Sequence, residues 1–194
     1  VASFMGIIAS SIKPYQYLDP SAGIDAFSVR QFVANEGTNW LFLNFTDSQF
    51  ASLKPIIAAV LDIAISACLE LKPDQNRRCW FMLDELASYG FLGSLRSLLE
   101  KGAKYGAPCV VGVQALSQLR EAYGHATAQT ILANLGTQLI LRCPDPESSE
   151  GLSKIFGEQD IQRQQHSTSS NGTDVSHSHS VQYITQRVVM PSEI

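Results

Sequence analysis

The chain has 194 residues, 45% of them hydrophobic and 16% charged, with a formal net charge of −4. That size and apolar content suit one domain, or one large piece of a domain, with a proper core. The acidic balance excludes a broad basic face for nucleic acid and leaves room only for local basic contacts. No uninterrupted apolar run approaches the roughly 18–20 residues that span a bilayer; the longest candidate, Pro55 to Leu71, carries Asp62.

In chain order, residues 1–12 are apolar but show neither a helix start signal nor the basic leader of a signal peptide, so Val1 reads as the middle of something cut. Pro14 ends that segment, and Ser28 is placed to cap a short helix over Val29–Ala34, stopped by Asn35 and Gly37. Trp40 to Phe45 is almost continuously apolar, as a strand covered on both faces should be. Thr46 or Asp47 then caps a helix from about Ser48 to Leu71, where Pro55 predicts a bend or a later start.

A polar loop, Lys72 to Arg77, leads into a second apolar strand over Cys79–Leu83, which ends in Asp84–Glu85. A helix is predicted over Leu92–Lys104, a third strand over Pro108–Val113 ending at Gln114, and helical sequence from Ala115 to Leu135 broken at Gly124. A fourth strand is expected over Thr137–Arg142, then a helix over Glu147–Phe156 stopped by Gly157. Strands alternating with helices in this way predict βαβ crossovers and a parallel sheet flanked by helices.

The stretch Ile161–Val189 is different: it is rich in Ser, Gln, Thr and His, with Asn171–Gly172 near its centre. Asn-Gly between strand-forming flanks predicts a hairpin, and its polarity on both faces keeps it out of a core. Pro191 to Ile194 looks like the opening of another helix. Three regions follow: 1–36, a return segment; 37–158, an α/β core; and 159–194, the polar β-hairpin and what comes after it.

Asp84–Glu85 is where the chemistry concentrates. Carboxylates at the C-terminal edge of a parallel sheet face the crevice in which such folds bind ligands. Apolar residues followed by Asp-Glu form a Walker B pattern: the Asp holds Mg²⁺, usually through water, and the Glu polarises the water that attacks the γ-phosphate of ATP. Gln114, at the same edge of the next strand, can contact the γ-phosphate or that water. The plainer alternative is a pair of acids capping the helix that follows. The chain holds no G-x-x-x-x-G-K-[ST], so it lacks the phosphate cradle of a P-loop and is expected to be inactive alone.

Trp80-Phe-Met-Leu-Asp-Glu-Leu-Ala-Ser88 resembles the Walker B region of type IV secretion coupling proteins, the TraD-like conjugative DNA-transfer ATPases. The likeness continues through Leu95–Gly106, through Val110-Val-Gly-Val-Gln114 with Ser117-Gln-Leu119 and Tyr123-Gly124, through Leu152–Glu158, and through Arg187–Ile194. It is looser over Trp40–Leu71 and covers about residues 28–194 in all.

The resemblance implies a RecA-like P-loop NTPase core, incomplete here because the P-loop strand is absent. It implies the cytoplasmic part of a hexameric inner-membrane motor that uses ATP and Mg²⁺. Such a motor binds DNA in a central channel and passes relaxase–DNA or effector proteins to a type IV secretion channel. Residues 1–36 would end an inserted helical domain.

One position departs from the family pattern. Where the family commonly has an arginine able to act on a neighbouring subunit's γ-phosphate, this chain has Ala103. Lys101, Lys104 and Arg96 are the candidates to substitute, although a lysine lacks the planar fork of a guanidinium.

The weaker signals have plain readings beside the functional ones. Cys68, Cys79, Cys109 and Cys143 have no short C-x-x-C spacing and read as reduced core residues. Trp40 and Trp80 read as core packing. His177 and His179 share a strand face and would hold a metal only with a third ligand such as His166; a polar ribbon is the simpler account. Two other functions stay open: a catalytically dead RecA-like module that docks partners, and a DNA-partition or pilus-type motor.

Overall fold

The computed structural model of the chain describes residues 27–35, 37–143, 145–171 and 174–194, so the expectations for residues 1–26 lie outside it. These residues form an α/β structure of two compact units. One holds the chain up to Gln114 together with Gln118–Thr137, and the other holds Ala115–Ser117 with Gln138–Ile194.

Local signals set the first helices. The α1 helix is Val29–Ala34, and the Ser28 hydroxyl accepts the Gln31 N–H at 3.3 Å as the N-cap. The α2 helix is Asp47–Glu70 with Thr46 at its N-cap, where the Gln49 side chain reaches back to the Thr46 N–H at 3.2 Å. Pro55 lies inside α2, and the helix continues on both sides of it. By length and mean hydropathy α2 is long enough to cross a membrane, although no unbroken apolar run in it is. In this structure Ile57, Ala64, Ile65, Ala67 and Cys68 are buried against the rest of the first unit.

The polar interruption in α2 has a structural use. Asp62 accepts the Ser94 N–H at 2.9 Å and the Gly93 N–H at 3.3 Å, and the Ser94 hydroxyl also donates to it. Asp62 therefore satisfies amides at the start of α3, Leu95–Lys101, from a different helix.

The parallel sheet has two strands, β1 (Phe81–Leu83) and β2 (Cys109–Val111), with Phe81, Met82 and Leu83 opposite Cys109, Val110 and Val111. Their crossover holds a 3-10 turn at Leu86–Tyr89, then α3, then a second 3-10 turn at Gly102–Tyr105. Next come α4 (Leu116–Tyr123) and α5 (His125–Asn134), separated at Gly124 as the sequence predicts.

Two apolar clusters hold the first unit together. Leu83, Leu86, Leu92, Leu95, Leu119 and Ile131 belong to one; Ala64, Ile65, Cys68, Phe81, Leu98 and Ala107 form the other.

Several expectations are overturned. Trp40–Phe45 and residues 137–142 are not strands. Trp40, Phe42, Leu139 and Leu141 are exposed, because an apolar run becomes a strand only when another strand supplies its hydrogen bonds, and among the described residues neither segment joins a sheet. Trp40 and Trp80 are exposed rather than core residues; Trp40 stacks on Phe42 with ring centroids 5.8 Å apart. None of the four cysteines is in a disulfide, and only Cys68 is fully buried; Cys79, Cys109 and Cys143 are half-buried. The Cys68 thiol is pushed up by its hydrogen bond to Cys79 and by burial, while that same bond lowers Cys79 to about 7.

In the second unit, α6 is Pro146–Ile155. Asp145 caps it and accepts the Ser148 N–H at 3.0 Å. The hairpin strands β3 (Glu158–Asn171) and β4 (Asp174–Arg187) are antiparallel, with Asn171 opposite Asp174. The predicted turn partner, residue 172, lies outside the described residues. Arg187 binds the Glu150 carboxylate with both guanidinium nitrogens, at 2.8 and 2.5 Å, and Ser153 donates to the Val189 carbonyl at 2.6 Å. These bonds tie the base of the hairpin to α6. The rings of His166 and His179, which face each other across the hairpin, meet edge to face at 4.4 Å; the His177 side chain is not among those described. The chain closes in a 3-10 turn, Pro191–Glu193, where a longer helix is predicted to open.

Candidate functional site

The β1 strand ends at Leu83, and the next two residues are held in a tight clamp. The Gly112 N–H donates to the Leu83 carbonyl, and the Leu86 N–H donates to the Gly112 carbonyl, both at 2.9 Å. Asp84 and Glu85 are thus caught between two backbone bonds to the residue just past β2.

Glu85 takes the consequence. Its φ and ψ are 56° and 53°, which makes it the one described non-glycine residue with positive φ. The left-handed region costs an L-residue roughly 1–2 kcal/mol, and such outliers cluster where a side chain must be aimed. Glu85 has no short side chain to compensate locally, as Asn or Asp would. Its carbonyl accepts the Ser88 N–H at 2.8 Å, which starts the 3-10 turn.

Asp84 is exposed beside Gly112. A Cβ on Gly112 would lie 2.8 Å from Asp84 Oδ1 and 3.3 Å from the Glu85 nitrogen. Only glycine leaves the carboxylate where it is. Tyr89 senses both acids: its phenol is pushed up by burial first, and then by the Asp84 and Glu85 charges.

Glu85 and Gln114 line the same open cleft of about 410 Å³. That volume lies within the range of small-molecule sites. Lys54 from α2, Gly90, and Gln118 and Glu121 from α4 share its wall. The structure thus brings Gln114 and Glu85, both singled out from the sequence, to one cleft. Asp84 sits at the same turn.

The other sequence candidates lie elsewhere. Arg96 is exposed and pairs with Glu100 at 2.7 Å, one turn along α3. Lys101 is exposed in the last turn of α3, and Lys104 is 5.8 Å from the Tyr105 ring centroid. None of the three lines the cleft.

Lys54, Gly90, Gly112, Gln118 and Glu121 carry no local signature of a site. Only the patterns Gly112-Val113-Gln114 and Glu121-x-Tyr123 could have drawn attention to their neighbourhoods. Tyr123, which has no role assignable from sequence, accepts the buried Leu92 N–H through its hydroxyl at 3.3 Å.

An acidic pair with one strained member, an amide opposite it and a single lysine can organise a hydrated cation and an anionic ligand. Coupling protein TraD of Escherichia coli strain K12 is 30% identical over 166 residues, which cover 81% of this chain and 23% of TraD. Conjugal transfer protein TraG of Agrobacterium fabrum is 26% identical over 198 residues, covering 99% of this chain and 30% of TraG.

Among solved structures, the unbound bacterial conjugative coupling protein TrwB is 33% identical with a TM-score of 0.74, over 87% of this chain and 38% of that one. The plasmid coupling protein TrwB in complex with ADP and Mg²⁺ is 32% identical with a TM-score of 0.71, over 86% of this chain and 37% of that one. The chain thus spans well under half the length of these relatives. Residues 2–194 match one family throughout, and the chain belongs to it: the type IV secretion-system coupling protein DNA-binding domain.

Proposed function

We propose that this chain is part of the nucleotide-hydrolysing core of a coupling protein, with Asp84, Glu85 and Gln114 at its chemical centre. The observation that carries the reading is Glu85. It is held in a left-handed conformation at the end of a parallel strand, and it lines one cleft with Gln114. A residue that only capped a helix would need no such strain.

The residues fit Mg²⁺ and ATP. Asp84 is an exposed hard oxygen donor, as Mg²⁺ prefers, and the glycine at 112 leaves room for its carboxylate. Bound Mg²⁺ would neutralise charge on the phosphate oxygens. With Mg²⁺ and ATP bound, Asp84 would hold the ion through its water shell, Glu85 would take a proton from the attacking water, and Gln114 would hydrogen-bond that water or the γ-phosphate. Lys101, Lys104 and Arg96 are exposed and free of the cleft, which leaves them available to act on a neighbouring subunit's nucleotide.

The relatives support a wider reading. The core is RecA-like, and the phosphate-binding loop is supplied by another part of a longer protein. That protein is a hexameric motor at the inner membrane, with this region in the cytoplasm. It threads DNA through a central channel and delivers relaxase–DNA or effector proteins to the secretion channel.

Glu85→Gln in the full-length protein tests the centre of this proposal. The expected outcome is ATP binding within about twofold of wild type and turnover reduced by at least ~100-fold. Normal turnover would remove Glu85 from the chemistry. Absence of ATP binding in the wild-type full-length protein would favour a docking module instead.

A further inference from the structure

The cleft holds a charge that the proposed chemistry does not use. Lys54 lies on α2, thirty-one positions before Glu85, yet it lines the same wall as Glu85 and Gln114. It is half-buried, and it is the only basic residue among those that line the cleft. Its stem runs along Gly90: a Cβ built on that glycine would stand 3.0 Å from Lys54 Cε and 3.5 Å from Nζ. Gly90 has φ +78°, so both its backbone and its missing side chain suit this close passage.

The ammonium is not spent on the acids nearby. Glu85 and Glu121 share the cleft, but among the described residues Lys54 makes no ion pair and no hydrogen bond. A half-buried cation with three unfilled donors, in a cleft that it shares with two carboxylates, two amides and a serine, is set up for an anion that arrives from outside. A compact ammonium suits a phosphate oxygen as a point charge.

We infer that Lys54 is a nucleotide-binding residue of this cleft, contacting a phosphate oxygen of the bound nucleoside triphosphate, with Gly90 holding the path of its side chain open. This rests on the nucleotide reading proposed above. The contact is separate from any phosphate-binding loop elsewhere in the longer protein. It joins α2 directly to the nucleotide, so the helix that packs on α1 and caps α3 through Asp62 would feel the phosphate state.

The test uses the full-length protein in a Glu85→Gln background, where bound ATP persists. A fluorescent ATP analogue is titrated with Mg²⁺ into this background, into Lys54→Met and into Lys54→Arg. Loss of one charged hydrogen bond predicts a Kd raised about tenfold or more for Lys54→Met, with partial recovery for Lys54→Arg. A Kd for Lys54→Met within twofold of its parent overturns the assignment, while tight binding by the parent still supports the nucleotide site. Failure of the parent itself to bind overturns both.

A second measurement needs no variant. Amine acetylation is followed by mass spectrometry with and without Mg²⁺-ATP. Selective protection of Lys54, with exposed Lys72 and Lys154 as internal references, is expected. Equal labelling of Lys54 in both conditions contradicts the contact even if Lys54→Met fails to fold.

Discussion

Gly112 and Asp84 are packed so closely that no side chain fits between them: a Cβ on the glycine would come within 2.8 Å of the carboxylate oxygen. The same glycine holds Leu83 and Leu86 through its N–H and carbonyl. One residue therefore fixes both the position of the acidic turn and the space its carboxylate occupies.

Gly112→Ala should expose this dependence. The methyl must push Asp84 aside or strain the turn, at a cost of about 1–3 kcal/mol typical of overpacking. Thermal melting should show the loss of stability. In the full-length protein, the Mg²⁺ dependence of nucleotide binding should shift to higher Mg²⁺. An unchanged Mg²⁺ dependence would mean that the Asp84 position does not matter to the site.

The strain at Glu85 makes a prediction of opposite sign for stability. Glycine adopts the observed φ and ψ without penalty, so Glu85→Gly should stabilise the fold by about 1 kcal/mol, measured by denaturant titration. It should also abolish turnover in the full-length protein. Stability gained with function lost is the signature of strain kept for a task. A destabilised Glu85→Gly would show that the side chain, not the backbone, is what the fold requires there.

Asp62 links α2 to α3. Removing its carboxylate leaves the Gly93 and Ser94 amides without their acceptor, a loss of about 1–2 kcal/mol by analogy with helix caps. Asp62→Ala should therefore lower the melting temperature, and Asp62→Asn, which keeps one acceptor oxygen, should lower it less. Equal effects of the two would point to packing rather than capping.

The hairpin base should respond to acid. Hydrogen bonds from Arg187 hold the Glu150 carboxyl below its ordinary value of 4.5, against an opposing contribution from burial. The folded value lies below the unfolded one, so the bridge contributes fully above the ordinary carboxylate range. That contribution is lost as pH falls through this range to the lower folded value. NMR shifts of the Gly157 and Val188 amides, the latter bonded across the base at 3.1 Å, should move on acidification below pH 4.5. Glu150→Gln should show the shifted positions already at neutral pH. Identical spectra for the two proteins at neutral pH would rule the bridge out as the anchor.

The sequence alone determined the features that a few neighbouring residues can settle. Ser28 before Val29 marked α1, Gly124 separated α4 from α5, and Asn171 stands at the end of the long hairpin register. Each rests on a cap, a breaker or a turn that acts within four residues, and so it survives translation into structure. The Asp84–Glu85 spelling, and Gln114 three residues past β2, could be picked out for the same reason.

Tertiary structure decided what depends on distant partners. Trp40–Phe45 and Thr137–Arg142 have the composition of strands but join no sheet among the described residues, and a strand is made by hydrogen bonds that composition cannot supply. The left-handed Glu85, the clearance at Gly112 and the arrival of Lys54 from a helix thirty-one residues upstream depend on long-range packing. The acidic pair can be picked out from its spelling; the strain at Glu85, and the lysine that shares its cleft, come only from the fold.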